Sequence, residues 1–247
     1  MSENIISLTS EESAFSVTGA LIVFEFELFG HTFYVTETVF IQLFVTFLLG
    51  LLFFALGRNL KLNPTSKKQV FVETIVTFFG NTVRDTMGVK YKNYTCYITA
   101  LFFISLLSSL MGLLGLKPPT SELSVVGTWG IITFILVTRN KFKTGGVKGY
   151  FGSFVEPMKF MLPFNIIGEF ANPLSQTVRH FANILAGTVL GGLIYFSLSA
   201  LAYGLAAIGI PAVLSLYFDI FTAVIQAYIF MMLTMVYVAM GDTSSDN

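Results

Sequence analysis

The sequence predicts an all-α integral membrane protein. About five membrane helices and one interfacial amphipathic helix are expected, ending in a long, strongly tilted antiparallel helix hairpin. Three observations carry this expectation. Of the 247 residues, 54% are hydrophobic and only 11% are charged, whereas soluble domains carry about 25% charged residues. Uncharged runs of membrane-spanning length recur along the chain. Those runs lack the period-two alternation of barrel strands, which leaves helices as the structure that satisfies backbone groups in lipid. The formal net charge of zero gives no reason to expect nucleic acid. The single cysteine, Cys96, excludes an internal disulfide. No Cys/His cluster points to a metal and no Walker-type glycine-rich loop points to a nucleotide, so neither metal nor cofactor is expected.

Residues 1–35 contain Glu3, Glu11, Glu12, Glu25 and Glu27 and lack a basic leader, so they read as an outer-side segment rather than a signal peptide. Within them, residues 24–35 alternate and turn at Gly30, as a short hairpin or interfacial segment would. Residues 38–57 carry no charge and are long enough for a first span. Residues 67–88 form the amphipathic helix. Val72, Ile75, Val76, Phe79 and Val83 share one face, and Glu73, Thr77, Asn81, Arg84 and Asp85 the other. Such a helix lies in the membrane interface or packs on a partner.

Residues 93–138 read as a membrane hairpin broken at Lys117, Pro118 and Pro119, with the only tryptophan, Trp129, in its second arm. A basic loop is expected over 139–165, carrying Arg139, Lys141, Lys143 and Lys148. The final hairpin is expected to comprise 170–210 and 212–241, with Pro211 at the turn. As one straight helix, residues 173–210 would measure ~57 Å at ~1.5 Å per residue, against a hydrocarbon core of ~30 Å, so strong tilt is required. The whole chain reads as a single membrane domain. Residues 58–68 and 139–148 each hold four Lys or Arg and the 117–122 loop holds one. The positive-inside rule then places the amino end outside and the carboxyl end in the cytoplasm.

Chemistry is concentrated in the final hairpin. Arg179 is the only Lys or Arg after Lys159, and no formal charge lies between His180 and Phe218. Placing a guanidinium in hydrocarbon costs ~2.5–3.5 kcal/mol or more, so it normally faces protein or a water-filled cavity. Arg179, Asn183 and Gly187 fall at i, i+4 and i+8, on one helical face. A lone intramembrane carboxylate such as Asp219 is by default functional, and Gln226 lies two turns further along the same face. Glu169 serves either as a cap or interfacial group or as lining of an ion path. His180 is either a relay or a hydrogen-bonding spacer. Met231, Met232 and Met235 read as packing, because no His or Cys accompanies them.

Three blocks of this sequence resemble the a subunit of F-type ATP synthases. The first contains Pro173, Leu174, Ser175, Arg179, Asn183, Ala186 and Gly187. The second runs from Leu216 through Asp219 and Gln226 to Thr234. A weaker block is Lys117 to Leu123. The resemblance implies a bacterial inner-membrane stator that holds two ion half-channels against a rotating ring. It implies that Arg179 faces a ring carboxylate, with Gln226 across from it and helping to hold it. Asp219, Asn183, His180, Glu169 and Thr188 would belong to the ion pathway. Implied partners are the c-ring proteolipids, peripheral-stalk b subunits, other ATP synthase subunits and lipid, with H+ or Na+ as the transported ion. No catalysis is expected on this chain alone. The family commonly has an ionisable residue after the Gly187 position, where this chain has Thr188. Two other classes stay open at the level of sequence. One is a self-contained transporter or channel that uses Arg179 to bind an anion. The other is a scaffold in which Arg179 tolerates a neutral replacement.

Overall fold

The structure, a computed structural model, describes residues 21–28, 30–58, 66–155, 158–201 and 205–242. The acidic first 20 residues, Lys61, Pro157, Gly204 and Asp246 lie outside them. Two strands open the described chain, β1 (Ile22–Leu28) and β2 (His31–Thr36), paired antiparallel across Gly30. The expected hairpin is therefore present. It leads directly into helix α1 (Glu37–Gly57). Thr36 Oγ1 at this junction donates to Glu122 Oε2 at 3.0 Å, fixing the hairpin to a segment 86 residues further along the chain.

Helix α2 (Lys67–Met87) buries Phe79, Val83 and Met87. They pack with Tyr91, Ile98, Met231, Met235 and Val238, so α2 covers later parts of the same chain. Val76, assigned to the apolar contact face by its spacing, instead points outward with Phe71 and Phe78. Helix α3 (Thr95–Leu110) ends in a short 3-10 turn, and a second such turn at Pro119–Ser121 precedes α4. Helix α4 (Leu123–Ser153) continues through the segment expected to be a basic loop. Arg139, Lys141, Lys143 and Lys148 are thus helical. The break comes only at Gly146, whose φ of 63° suits a residue without Cβ.

Helix α5 spans Leu162–Leu201 and α6 spans Leu205–Met240. This corrects the boundaries drawn from proline positions. Pro163 occupies the first turn of α5, where a missing N–H costs nothing. Pro173 and Pro211 lie inside their helices, because one lost backbone bond does not stop a membrane helix that its neighbours support. Pro211 therefore lies within α6 rather than at its start. Cross-helix bonds run from Asn183 to Gln226 and from Gln176 to Phe230 and Thr234. Descending numbers on α5 meet ascending numbers on α6, so the two helices are antiparallel.

Among the described residues, four stretches are long and apolar enough to cross a membrane: Glu37–Gly57, Val89–Leu114, Leu123–Ser153 and Leu216–Met240. With its large exposed apolar surface, including Phe47, Phe54 and Phe170, the chain is an all-α integral membrane protein. Its two ends carry separate polar ties. At one end Thr36 meets Glu122. At the other, Lys90 pairs with Asp242 at 2.9 Å, Tyr91 OH donates to the same carboxylate, and Asn140 Nδ2 donates to Tyr91 OH and the Val238 carbonyl.

Helix α5 comes close to α4 at Gly130. A Cβ there would collide with Thr177 Oγ1 and lie 3.2 Å from the Pro173 carbonyl oxygen. Close approach at a small residue is how membrane helices gain contact. We expect Gly130→Val to destabilise the chain by about 1–3 kcal/mol, the usual scale of overpacking. Thermal unfolding of the purified variant in detergent tests this, and an unchanged melting temperature would refute the contact.

Candidate functional site

Helix α5 has two chemically distinct sides. Glu169, Pro173, Gln176, Thr177 and His180 are buried, with spacings of three and four that make one inward stripe. Ser175, Arg179, Ala182, Asn183 and Ala186 are exposed on the opposite side. Arg179 thus stands on an outward strip of small residues. It makes no ion pair or hydrogen bond among the described residues.

Asn183, one turn beyond Arg179, donates from Nδ2 to Gln226 Oε1 at 2.6 Å. Gln226 is only 1% exposed, so the bond fixes α5 to α6 beside the cation. Gln226 is bonded to Asn183 and not to Arg179, so it ties the two helices together one turn from the cation. One helical turn separates the two positions on α5, and a glutamine side chain satisfies the partner that reaches it.

Gln176 was missed by sequence reasoning. It is buried, and its Nε2 donates to the Phe230 carbonyl at 2.9 Å and to Thr234 Oγ1 at 2.8 Å. The available signal was its place on the stripe, three residues after Pro173 and four before His180. Thr177, on the same stripe, donates to the Pro173 carbonyl at 3.0 Å.

His180 is wholly buried between the rings of Trp129 and Phe230, at centroid distances of 5.7 and 5.5 Å and near-perpendicular angles. Among the described residues neither ring nitrogen has a hydrogen-bond partner. His180 does not line the cavity that contains Asp219. A buried polar group without a partner costs about 1–3 kcal/mol. We therefore expect His180→Phe to leave ion translocation within about twofold of the parent and not to lower stability. Loss of translocation in a stable His180→Phe variant would restore the relay.

Two cavities flank the Arg179 level of α5. One, of about 920 Å³, is lined by Asn183, Gly187, Thr188 and Gly191 of α5, by Asp219 of α6, and by Lys117. Thr188 and Asp219 therefore share one space. Asp219 is exposed, and Thr188 Oγ1 donates to the Leu185 carbonyl at 2.8 Å. The other cavity, of about 310 Å³, is lined by Lys141 of α4, by Asn165, Glu169, Asn172 and Pro173 of α5, and by Tyr237 of α6. Glu169 sits well inside α5 and so is not a cap. Its Oε2 is 2.6 Å from Lys141 Nζ. Gln176, Arg179 and His180 line neither cavity. Among the described residues no group of His, Cys, Asp and Glu could hold a metal ion. Met231 and Met235 are core residues.

Residues 38–239 match the family model described as ATP synthase A chain. The chain is 35% identical over 226 residues to the "ATP synthase subunit a, sodium ion specific" of Propionigenium modestum, covering 84% of this chain and 75% of that protein. It is 36% identical over 214 residues to ATP synthase subunit a of Lysinibacillus sphaericus, covering 82% and 90%. It is 34% identical over 232 residues to that of Macrococcus caseolyticus, covering 88% and 95%.

Proposed function

The chain belongs to the ATP synthase A chain family, and from that premise we propose that it supplies both ion half-channels and the central cation at the interface with a rotating c-ring. As an ATP synthase subunit a it is a multi-pass membrane protein that works with other subunits of that enzyme. The finer reading rests on one observation. Arg179 is an exposed guanidinium on a 40-residue helix of an integral membrane protein, with no counter-charge among the described residues. A cation in that position needs a carboxylate from another chain, because an uncompensated charge is costly in an apolar setting. The small residues beside it let a second helix approach closely.

In this reading the ring carboxylate carries the ion, H+ or Na+. The larger cavity, with Asp219, Thr188 and Asn183, is the outer half-channel, and the smaller one, with Glu169, is the inner. Arg179 lies between the two cavities along α5. It favours the ionised carboxylate as the site passes, and it blocks direct leakage between the cavities. The outer half-channel opens on the side of the β1–β2 hairpin, and the carboxyl end lies in the cytoplasm. Helices α5 and α6, with 40 and 36 residues, exceed the ~20 that cross a bilayer upright and therefore run obliquely along the ring. Peripheral-stalk b subunits hold the chain against rotation. Each charge that crosses yields ~2.3 kcal/mol per 100 mV.

The test is purification in mild detergent. A ring of small two-span proteolipids should accompany the chain, and the chain reconstituted alone should conduct no ions. Transport by the isolated chain would replace this reading with that of a self-contained transporter.

A further inference from the structure

The inner cavity contains a feature that the half-channel reading leaves without a role. Glu169 is 8% exposed and Lys141 reaches it from α4. Only Oε2 is engaged, at 2.6 Å. Oε1 is buried and has no hydrogen-bond partner among the described residues. Lys141 is itself confined, with its Nζ 6.0 Å from the Tyr150 ring centroid and 5.5 Å from that of Phe154. Tyr150 in turn stacks on Phe142 at 4.3 Å. Both charges line the cavity. A cationic side chain fixed in the wall of a cation's route is electrostatically expensive unless it adjusts that route.

We infer that Lys141 sets the cation affinity of the inner cavity by neutralising Glu169. This rests on the half-channel reading above. With both charges present the pair is neutral, so the cavity neither traps cations nor repels them. The unengaged Oε1 offers one acceptor to water or a proton in transit. Buried pairs respond sharply when one member is removed, because the other charge is left uncompensated. Removing Lys141 leaves a negative cavity that retains cations. Removing Glu169 leaves a positive cavity that excludes them. The other titratable groups near the pair are Tyr150 of α4 and Tyr237 of α6. Asp242, next to the lining residue Gly241, is held by Lys90 and Tyr91.

The experiment uses the whole ATP synthase in inverted vesicles, whose outward face presents the inner cavity to the medium. ATP-driven acidification is recorded against medium proton concentration, and half-saturation is separated from maximal rate. Lys141→Gln should lower the half-saturating proton concentration about tenfold, the scale of one charge acting across a cavity at intermediate dielectric. Glu169→Gln should raise it by a similar factor. The double variant should return near the parental value, and Lys141→Arg should stay there. If the variants lose maximal rate with half-saturation unmoved, the pair is only structural and the inference fails. Should Lys141→Gln not assemble, an unmoved Glu169→Gln overturns it alone. Arg179→Gln in the same assay separates the two levels. Normal pumping by that variant overturns the half-channel reading, whereas inactivity alongside unmoved Lys141 and Glu169 variants overturns only this one.

Discussion

Arg179→Gln is expected to abolish ATP-driven pumping and ATP synthesis while the complex still assembles. Assembly should survive because Arg179 makes no ion pair or hydrogen bond among the described residues. The helix–helix ties on either side, Gln176 to Thr234 and Asn183 to Gln226, do not pass through it. In the proposed reading the loss falls on the ring site. Leaving a charge without its partner in an apolar interface costs about 3–5 kcal/mol, and each ~1.4 kcal/mol is tenfold in a population. The ionised ring site would become roughly two to four orders of magnitude rarer at the stator. Arg179→Lys should fail as well. An ammonium can lose its proton in an apolar setting and lacks the planar fork of a guanidinium, which stays charged. The measurement is dye-quench acidification in inverted vesicles with confirmed complex content. A second arm follows passive proton permeability under an imposed diffusion potential, which should rise in the Gln variant. Near-normal acidification by Arg179→Gln would remove Arg179 from the centre of the mechanism.

Much of this site could be read from one sequence because its signals are local. Arg179 and Asn183 differ by four, so their common face follows from helical geometry alone, and both are exposed on one side of α5. The uncharged runs gave the membrane class, and alternation with Gly30 gave the β1–β2 pair. What escaped were pairings between distant residues. Gln176 with Thr234, Asn183 with Gln226 and Lys141 with Glu169 join positions 58, 43 and 28 apart. No periodicity encodes such distances. Clustered basic residues and glycines predict a loop around Lys141, yet α4 continues to Ser153. Proline misled for a related reason. It marks ends reliably where water competes for freed backbone groups, and less so where packed neighbours hold the helix. His180 looked like chemistry by residue type and is buried against Trp129 and Phe230.

Asp219→Asn should reduce ion translocation at least about tenfold, the lower range for loss of a positioned proton-transfer group, with assembly intact. The amide keeps the volume and most hydrogen-bonding capacity of the carboxyl but cannot bind and release a proton. Asp219 is the only carboxylate lining the larger cavity among the described residues, so no neighbour takes over its role. Thr188 lines the same cavity from the opposing helix, and its hydroxyl is turned back onto the Leu185 carbonyl. An acid introduced there would enter the space that Asp219 serves. Thr188→Glu in the Asp219→Asn background is therefore expected to recover part of the lost rate. The same Glu introduced at an exposed α5 position outside the cavity, such as Val178, should recover none. Translocation is read as ATP-driven acidification and, in the opposite direction, as ATP synthesis under an imposed gradient. Both should fall together, because a half-channel is used whichever way the ring turns. Parental rates in both directions for Asp219→Asn would place the ion path elsewhere. A loss confined to one direction would mean that Asp219 controls rotation rather than access, since a group lying in the path serves entry and exit alike.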